Sequence, residues 1–176
     1  MTPAMIDTQV LSYALAAEPA KDEKTRRLQR DSAALVATLA EVRVSALTVL
    51  ELLRAPPNVV AKVQASGILE QLQVEGLDGG VAREAARILE AARGDSETCI
   101  RCLNIKGATP CPVCKQLVSH QQKTQDALIV ATAARLTDVD VLYTYDLGVV
   151  ELAKFVKNLR TQSPPDLDGP LFAQQR

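Results

Sequence analysis

Short apolar runs alternate with amphipathic stretches along most of the chain. Four runs have the apolar or β-branched character of strands: Ala4–Asp7, Val42–Ser45, Leu72–Val74 and Val141–Tyr145. The stretches with helical spacing are Thr8–Ala17, Ala33–Leu39, Thr48–Leu53, Val59–Leu69, Val81–Arg93, Ala127–Leu136 and Leu147–Leu159. Ala127–Leu136 is apolar nearly all round, which indicates a buried helix. Strands that alternate with helices predict an α/β fold with a mostly parallel sheet covered on both faces.

Three segments depart from this alternation. Lys21–Arg30 is densely charged, and we expect a solvated helix start there, with an RNA-facing patch as the alternative. Residues 94–122 interrupt the pattern and contain all four cysteines, so they are interpreted as an insertion. Residues 161–176 include a Pro-rich run and are expected to form a flexible tail. The main domain is therefore predicted to span residues 1–160.

The amino-acid composition limits the kinds of binding partner that the chain is suited to. The chain has 20 Lys and Arg against 21 Asp and Glu, so its formal net charge is −1. This balance argues against a bulk cationic coat for nucleic acid but allows a local basic face. Aromatic residues make up only 3% and Trp is absent, which argues against base stacking on a row of aromatics. No apolar run reaches the roughly 18 residues of a membrane span, and no signal peptide is visible, so we expect a cytoplasmic protein with no membrane partner.

Four acidic residues occupy comparable places in the predicted elements. Asp7 follows the first strand and Asp146 the last, so in a parallel sheet both lie at the edge where open α/β sheets bind ligands. Glu51 and Asp126 each fall in a predicted first helical turn and could point at that edge. Such carboxylates repel one another unless a cation lies between them, and oxygen ligands suit Mg²⁺ or Mn²⁺. A metal-bound water there could attack a phosphodiester without help from His120, the only histidine.

Each acid also has a purely structural explanation. Glu51 stands three residues after Thr48, which is the spacing of a capping box. Asp126 could simply favour the positive end of its helix, and Asp7 and Asp146 could be N-caps. The metal site is preferred because all four occur at strand ends or helix starts of one sheet.

The same residues resemble a known family. The segments IDTQVL (Ile6–Leu11), VSALTVLEL (Val44–Leu52), DALIVATAARL (Asp126–Leu136) and LYTYD (Leu142–Asp146) look like the four motifs of PIN-domain nucleases. The likeness is greatest to the toxin ribonucleases of bacterial and archaeal toxin–antitoxin pairs. It spans residues 1–159 apart from the insertion.

The resemblance implies a three-layer α/β/α sandwich with a central parallel sheet, and Mg²⁺- or Mn²⁺-dependent cleavage of RNA. It also implies a homodimer and an antitoxin that covers the acidic site. Carried over by position, the metal-binding acids would be Asp7, Glu51, Asp126 and Asp146. Thr144 would orient an acid or the attacking water, although it could also be an ordinary strand threonine.

One departure from the family pattern follows the last acid. Family members often carry another polar or acidic residue soon after it, whereas here Leu147, Gly148 and Val149 follow. The departure leaves open whether the site holds one metal ion or two.

The cysteines form two pairs, Cys99-x₂-Cys102 and Cys111-x₂-Cys114, separated by eight residues. This pattern predicts a zinc knuckle with one tetrahedral, structural Zn²⁺ held by four thiolates. Iron in the same cage, two disulfides or idle thiols are the alternatives, and a cytoplasmic setting disfavours disulfides.

Basic residues decorate the insertion and its exit. They are Arg101, Lys106, Lys115 and Lys123. We expect them to contact RNA phosphates near the acidic site, with solubility or protein docking as alternatives.

The sequence therefore predicts a metal-dependent endoribonuclease that hydrolyses RNA through a metal-activated water. It would be the toxin of a toxin–antitoxin pair or a stand-alone RNA-processing enzyme, since zinc-bearing PIN nucleases also act in ribosomal RNA maturation. The alternative is a non-catalytic, zinc-dependent module that binds RNA or protein on the same scaffold. The intact set of acids favours the enzyme.

Overall fold

A central parallel sheet organises the chain. The computed structural model describes residues 3–16, 18–54, 67–94 and 120–167. Within these residues the strands are Ala4–Ile6 (β1), Val42–Ser45 (β2), Gln73–Glu75 (β3), Val141–Tyr143 (β4) and Arg160–Gln162 (β5). Their order in the sheet is β3-β2-β1-β4-β5, and every neighbouring pair is parallel. The predicted parallel sheet is confirmed.

Helices cover both faces of this sheet, as the predicted α/β/α sandwich requires. They are Thr8–Ala14 (α1), Glu23–Thr38 (α2), Ala46–Leu53 (α3), Ile68–Gln71 (α4), Gly79–Gly94 (α5), His120–Arg135 (α6) and Leu147–Ala153 (α7). Successive β1 residues point to opposite faces. Met5 packs in a core with α5, α6 and α7, whereas Ile6 packs in a second core with α1 and α2. None of the helices in the described ranges has the length and apolarity needed to cross a lipid bilayer.

Side-chain caps fix where several helices begin. Ser45 caps α3 by accepting a hydrogen bond from the backbone N–H of Leu47. Asp7, directly after β1, and Asp146, three residues after the end of β4, cap α1 and α7 in the same manner. A cap satisfies a helical N–H that would otherwise lack a partner, and it also fixes the side chain that provides it. Two of the predicted site acids are therefore held at the carboxyl edge of the sheet.

The topology marks this edge as a place for a ligand. From β1 the chain moves outward to β2 and β3, and it then returns to the other side of β1 for β4 and β5. The carboxyl ends of β1 and β4 flank the point where the strand order reverses, and open α/β sheets bind ligands at such points.

Several predicted boundaries are wrong. Helix α6 begins at His120, so Asp126 is the seventh helical residue and not part of a first turn. Helix α3 begins at Ala46, which places Glu51 well inside it, and α7 ends at Ala153, six residues earlier than expected. Strand β3 lies one residue later than predicted.

The segment after α7 contains a strand that the hydrophobic pattern missed. Arg160–Gln162 forms β5, so Thr161 and Gln162, which were assigned to the tail, belong to the sheet. Beyond it, the Nε of Arg27 on α2 donates a hydrogen bond to Asp166 Oδ1 at 3.0 Å. Residues 168–176, most of the predicted Val59–Leu69 helix and residues 95–119 of the predicted insertion lie outside the described residues.

Candidate active site

Asp7 and Thr144 link the ends of the two central strands. Asp7 is 4% exposed and Thr144 is 1% exposed. The hydroxyl of Thr144 donates to Asp7 Oδ2 at 2.7 Å, and the backbone N–H of Thr8 donates to Asp7 Oδ1 at 2.6 Å. The Thr144 hydroxyl in turn accepts a hydrogen bond from the Asp146 N–H at 2.9 Å. Both oxygens of Asp7 are thereby fixed, and Thr144 connects it to the segment that carries Asp146.

Glu51 reaches this edge from α3. Its Oε2 accepts a 2.5 Å hydrogen bond from the hydroxyl of Thr8, the residue after Asp7. The same hydroxyl lies 3.2 Å from that of Thr48, one turn before Glu51. Because α3 begins at Ala46 with Ser45 as its cap, Thr48 and Glu51 do not form the capping box considered above. The carboxylate of Glu51 is instead directed at the start of α1.

Asp126 and Asp146 meet over Gly148. A β-carbon built at Gly148 would lie 2.8 Å from Asp126 Oδ2, 3.0 Å from Asp146 Oδ1 and 2.9 Å from Lys123 Nζ. The two carboxylate oxygens share this point as a neighbour, so they lie within about 6 Å of each other. A side chain at position 148 would displace them, and glycine is required here for close approach rather than for backbone conformation.

Burial and mutual repulsion raise the pKa values of two of the four acids. Burial raises the pKa of Asp126 to about 7, and the neighbouring Asp146, Asp7 and Glu51 add to this increase while Lys123 opposes it. Burial likewise raises the pKa of Asp7 to about 6, against the hydrogen bonds from Thr144 and Thr8. The charges of Asp146 and Glu51 push this pKa upward as well. The charge of each acid thus raises the pKa of the buried acids beside it, and a cation between the carboxylates would offset this repulsion.

The four acids offer the carboxylate oxygens that a hard divalent cation prefers as ligands. In the part of the chain that the structure describes, no three Asp, Glu, His or Cys side chains are already gathered as metal ligands. An ion of the size of Mg²⁺ holds its oxygen ligands at about 2.1 Å, so two ligand oxygens lie at most about 4 Å apart. Asp126 Oδ2 and Asp146 Oδ1 lie within about 6 Å of each other, so an ion between them would need at most a small movement of the two side-chain ends over Gly148. The carboxylate chemistry therefore fits the ion.

Most of the residues singled out from the sequence can be located. Asp7, Glu51, Thr144, Asp126 and Asp146 come together at the carboxyl edge of the sheet. Lys123 is buried beside Asp126. The other predicted residues, Cys99, Cys102, Cys111, Cys114, Arg101, Lys106 and Lys115, lie outside the described residues, as does the side chain of His120.

The sequence does not reveal that three further residues shape the site. They are Thr8, Gly148 and Lys123, the last as a partner of the acids. Thr8 follows Asp7 directly, so its proximity could have been inferred. Lys123 stands three residues before Asp126, which places both on one helix face once the helix is known to begin at His120. Gly148 carries no such signal, since its role depends on how α6 packs against the start of α7.

Comparison with known proteins agrees with this architecture. The family model of the PIN domain matches residues 4–155. No curated protein matches the chain significantly.

Two solved structures illustrate the similarity of fold. The structure of VapBC2 from Rickettsia felis, bound to a DNA fragment from their promoter, has 13% identity and a TM-score of 0.54, covering 92% of this chain and 98% of the matched chain. The 2.2 Å structure of VapBC-1 from nontypeable Haemophilus influenzae has 16% identity and a TM-score of 0.55, covering 92% and 97%. At these identities the similarity concerns the fold alone.

Proposed function

The chain belongs to the PIN-domain family, whose members are generally metal-dependent nucleases, and we propose that it is an endoribonuclease that hydrolyses RNA phosphodiesters with Mg²⁺ or Mn²⁺. The observation that carries the proposal is the convergence of four acids, from β1, α3, α6 and the end of β4, at one edge of the sheet. Asp7 and Asp126 there have raised pKa values because they are buried among like charges. A structural role alone would not require this arrangement.

The residues have distinct tasks in this proposal. Asp126, Asp146 and Asp7 would hold the divalent cation. When bound, the ion would lower the pKa of a coordinated water and neutralise charge on the attacked phosphate. Thr144 keeps Asp7 in place through its hydroxyl. Thr8 fixes Glu51, whose carboxylate can accept a proton or a hydrogen bond from water at the edge of the site.

The biological setting is proposed from the similarity in fold. VapBC structures are toxin–antitoxin complexes, which supports a toxin restrained by an antitoxin protein that covers the acids. A homodimer, a cytoplasmic location and RNA as the substrate belong to the same proposal. A stand-alone RNA-processing enzyme would use the same site without the restraining partner.

A zinc knuckle between α5 and α6, within residues 95–119, is also part of the proposal, as an insertion into a nuclease domain that extends through β5. Its ligands would be the thiolates of Cys99, Cys102, Cys111 and Cys114, whose pairing in the sequence is typical of a closed, structural zinc site. The nearby Arg101, Lys106 and Lys115 would contact RNA phosphates, and Lys123 lies at the acids themselves.

A cleavage assay tests the proposal. Structured RNA, unstructured RNA and single-stranded DNA of the same sequence are incubated with purified protein and Mg²⁺ or Mn²⁺, and with EDTA. The variants are Asp146→Asn and, as a matched control, Glu90→Gln, which alters an exposed carboxylate of α5.

We expect RNA products with metal from the wild type and Glu90→Gln, and at least about 100-fold less product from Asp146→Asn. Cleavage that persists in EDTA or in Asp146→Asn would contradict the proposed chemistry. RNA that is bound but never cut, by folded wild type under any condition, would point to the non-catalytic binding module.

A further inference from the structure

Lys123 is a buried lysine inside the acidic site. It lies on α6 one turn before Asp126 and is 7% exposed, whereas lysine side chains are almost never fully buried unless they are paired. Its Nζ is 3.7 Å from Asp126 Oδ2, which is too long for a direct hydrogen bond but short enough for an ion pair. The fold therefore places the positively charged side chain of Lys123 among the carboxylates.

The ammonium group shares the position where Asp126 and Asp146 converge. Nζ would lie 2.9 Å from a β-carbon on Gly148, and Asp146 Oδ1 would lie 3.0 Å from it. Nζ is therefore within about 6 Å of Asp146 Oδ1 as well as 3.7 Å from Asp126 Oδ2. A cation that bridges the two acids would have this ammonium as an immediate neighbour.

The three residues after Asp146 offer no side chain that would hold a further metal ion. Leu147 projects its apolar side chain outward, Gly148 has none, and Val149 is buried in the core with α5 and α6. The four acids carry a formal charge of −4 when ionised, which one divalent ion and Lys123 would largely balance. A second divalent ion would have to bind against the repulsion of the ammonium group.

We propose that Lys123 is a resident cation of this site, which takes the place of a second metal ion, so that the site binds one divalent cation per chain. This inference rests on the proposed metal-dependent function. Lys123 acts on the ion through charge and position and is a positioning residue. It holds Asp126 in the metal-free protein and limits both the number of ions and their affinity.

The test is a Mn²⁺ titration of the whole 176-residue chain, with bound and free Mn²⁺ measured by electron paramagnetic resonance. The variants are Lys123→Met, which keeps the length of the side chain without its charge, and Lys123→Arg, which keeps the charge. Lys154→Met is the control, because Lys154 is an exposed lysine that pairs with Glu151 on α7. Asp126→Asn shows which ions bind at the acids, and circular dichroism establishes that each variant is folded.

The wild type is expected to bind one Mn²⁺ that is lost in Asp126→Asn. Lys123→Met should bind Mn²⁺ roughly tenfold more tightly or better, since a like charge has been removed about 6 Å or less from the ion. Lys123→Arg and Lys154→Met should keep the wild-type affinity to within about twofold.

Two ions at the acids of the wild type, or an affinity that is unchanged or weaker in folded Lys123→Met, would overturn the role of Lys123 and leave the proposed nuclease intact. If Lys123→Met does not fold, the number of Mn²⁺ ions that the wild type binds still tests the proposal, because two ions at the acids would contradict it. No Mn²⁺ bound at the acids of the wild type would overturn both.

Discussion

Asp126→Asn should stabilise the metal-free protein at neutral and alkaline pH, although it removes an ion pair with Lys123. The reason is that the ionised carboxylate is buried near Asp146, Asp7 and Glu51, which raises its pKa from 3.8 to about 7. Asparagine has nearly the same shape and no charge. The substitution therefore removes the cost of burying a negative charge, to which repulsion from the neighbouring acids adds.

The raised pKa sets the size of this effect. A shift of about three units corresponds to roughly 4 kcal/mol of stability lost when the group is fully ionised. Residual hydration of the carboxyl and relaxation of its neighbours reduce this value, and we expect a net gain of about 2 kcal/mol at pH 8. For a chain of this size that is an increase in melting temperature of about 4–8 °C.

The pH dependence follows from the direction of the shift. Because the folded-state pKa of Asp126 is higher than the unfolded-state value, its favourable contribution is present below about pH 4 and is lost as the pH rises through about 7. The stability difference between Asp126→Asn and the wild type should therefore be largest at pH 8 and shrink steadily toward pH 4.

Thermal unfolding in EDTA, followed by circular dichroism at several pH values, measures this difference. Glu90→Gln is the matched control and should show no comparable dependence on pH. A lower melting temperature for Asp126→Asn at pH 8, or a difference from the wild type that does not change with pH, would refute the argument that the acids are crowded without metal.

Three further substitutions test separate parts of the site. Gly148→Ala places a methyl group 2.8 Å from Asp126 Oδ2, so we expect about 100-fold slower RNA cleavage and weaker Mn²⁺ binding. The melting temperature of this variant should stay within a few degrees of the wild type, because only side-chain ends must move. Wild-type activity of Gly148→Ala would contradict the proposed role of the glycine. Thr144→Val removes the buried hydrogen bond to Asp7 and should cost about 1–3 kcal/mol in chemical denaturation, with Thr144→Ser recovering most of it; equal stability of Val and Ser variants would count against that bond. Cys111→Ser should lower the zinc content measured by atomic emission and the melting temperature together, and unchanged zinc would refute the four-thiolate site.

The sequence predicts the fold well because the central strands are apolar and bounded by helices. Val42–Ser45 is predicted with its observed bounds, and Ala4–Ile6 differs by one residue. Strand β5 could not be recognised because Arg160–Gln162 is polar and largely exposed at the edge of the sheet. It is defined by pairing with β4, including the hydrogen bond from the Thr144 N–H to the Gln162 carbonyl at 2.9 Å, and such pairing has no local signature.

The site illustrates the same limit at the scale of single residues. That Asp7 and Asp146 lie at one edge follows from the parallel direction of β1 and β4, because each residue lies just beyond the carboxyl end of its strand. The sequence misplaces Asp126 within its helix because residues 120–125 are polar, so the first turns of α6 lack the apolar pattern of a helix. The convergence of Lys123, Asp126 and Asp146 over Gly148 combines α6 with the start of α7, and hydrophobic periodicity carries no information about such a meeting.

Anomalous diffraction from a crystal grown with Mn²⁺ would locate a divalent ion bound by these acids. We expect an anomalous peak over Gly148, between Asp126 and Asp146 and within reach of Asp7, that is absent from crystals of Asp146→Asn. A folded wild-type crystal at saturating Mn²⁺ with no peak at these acids would contradict this expectation.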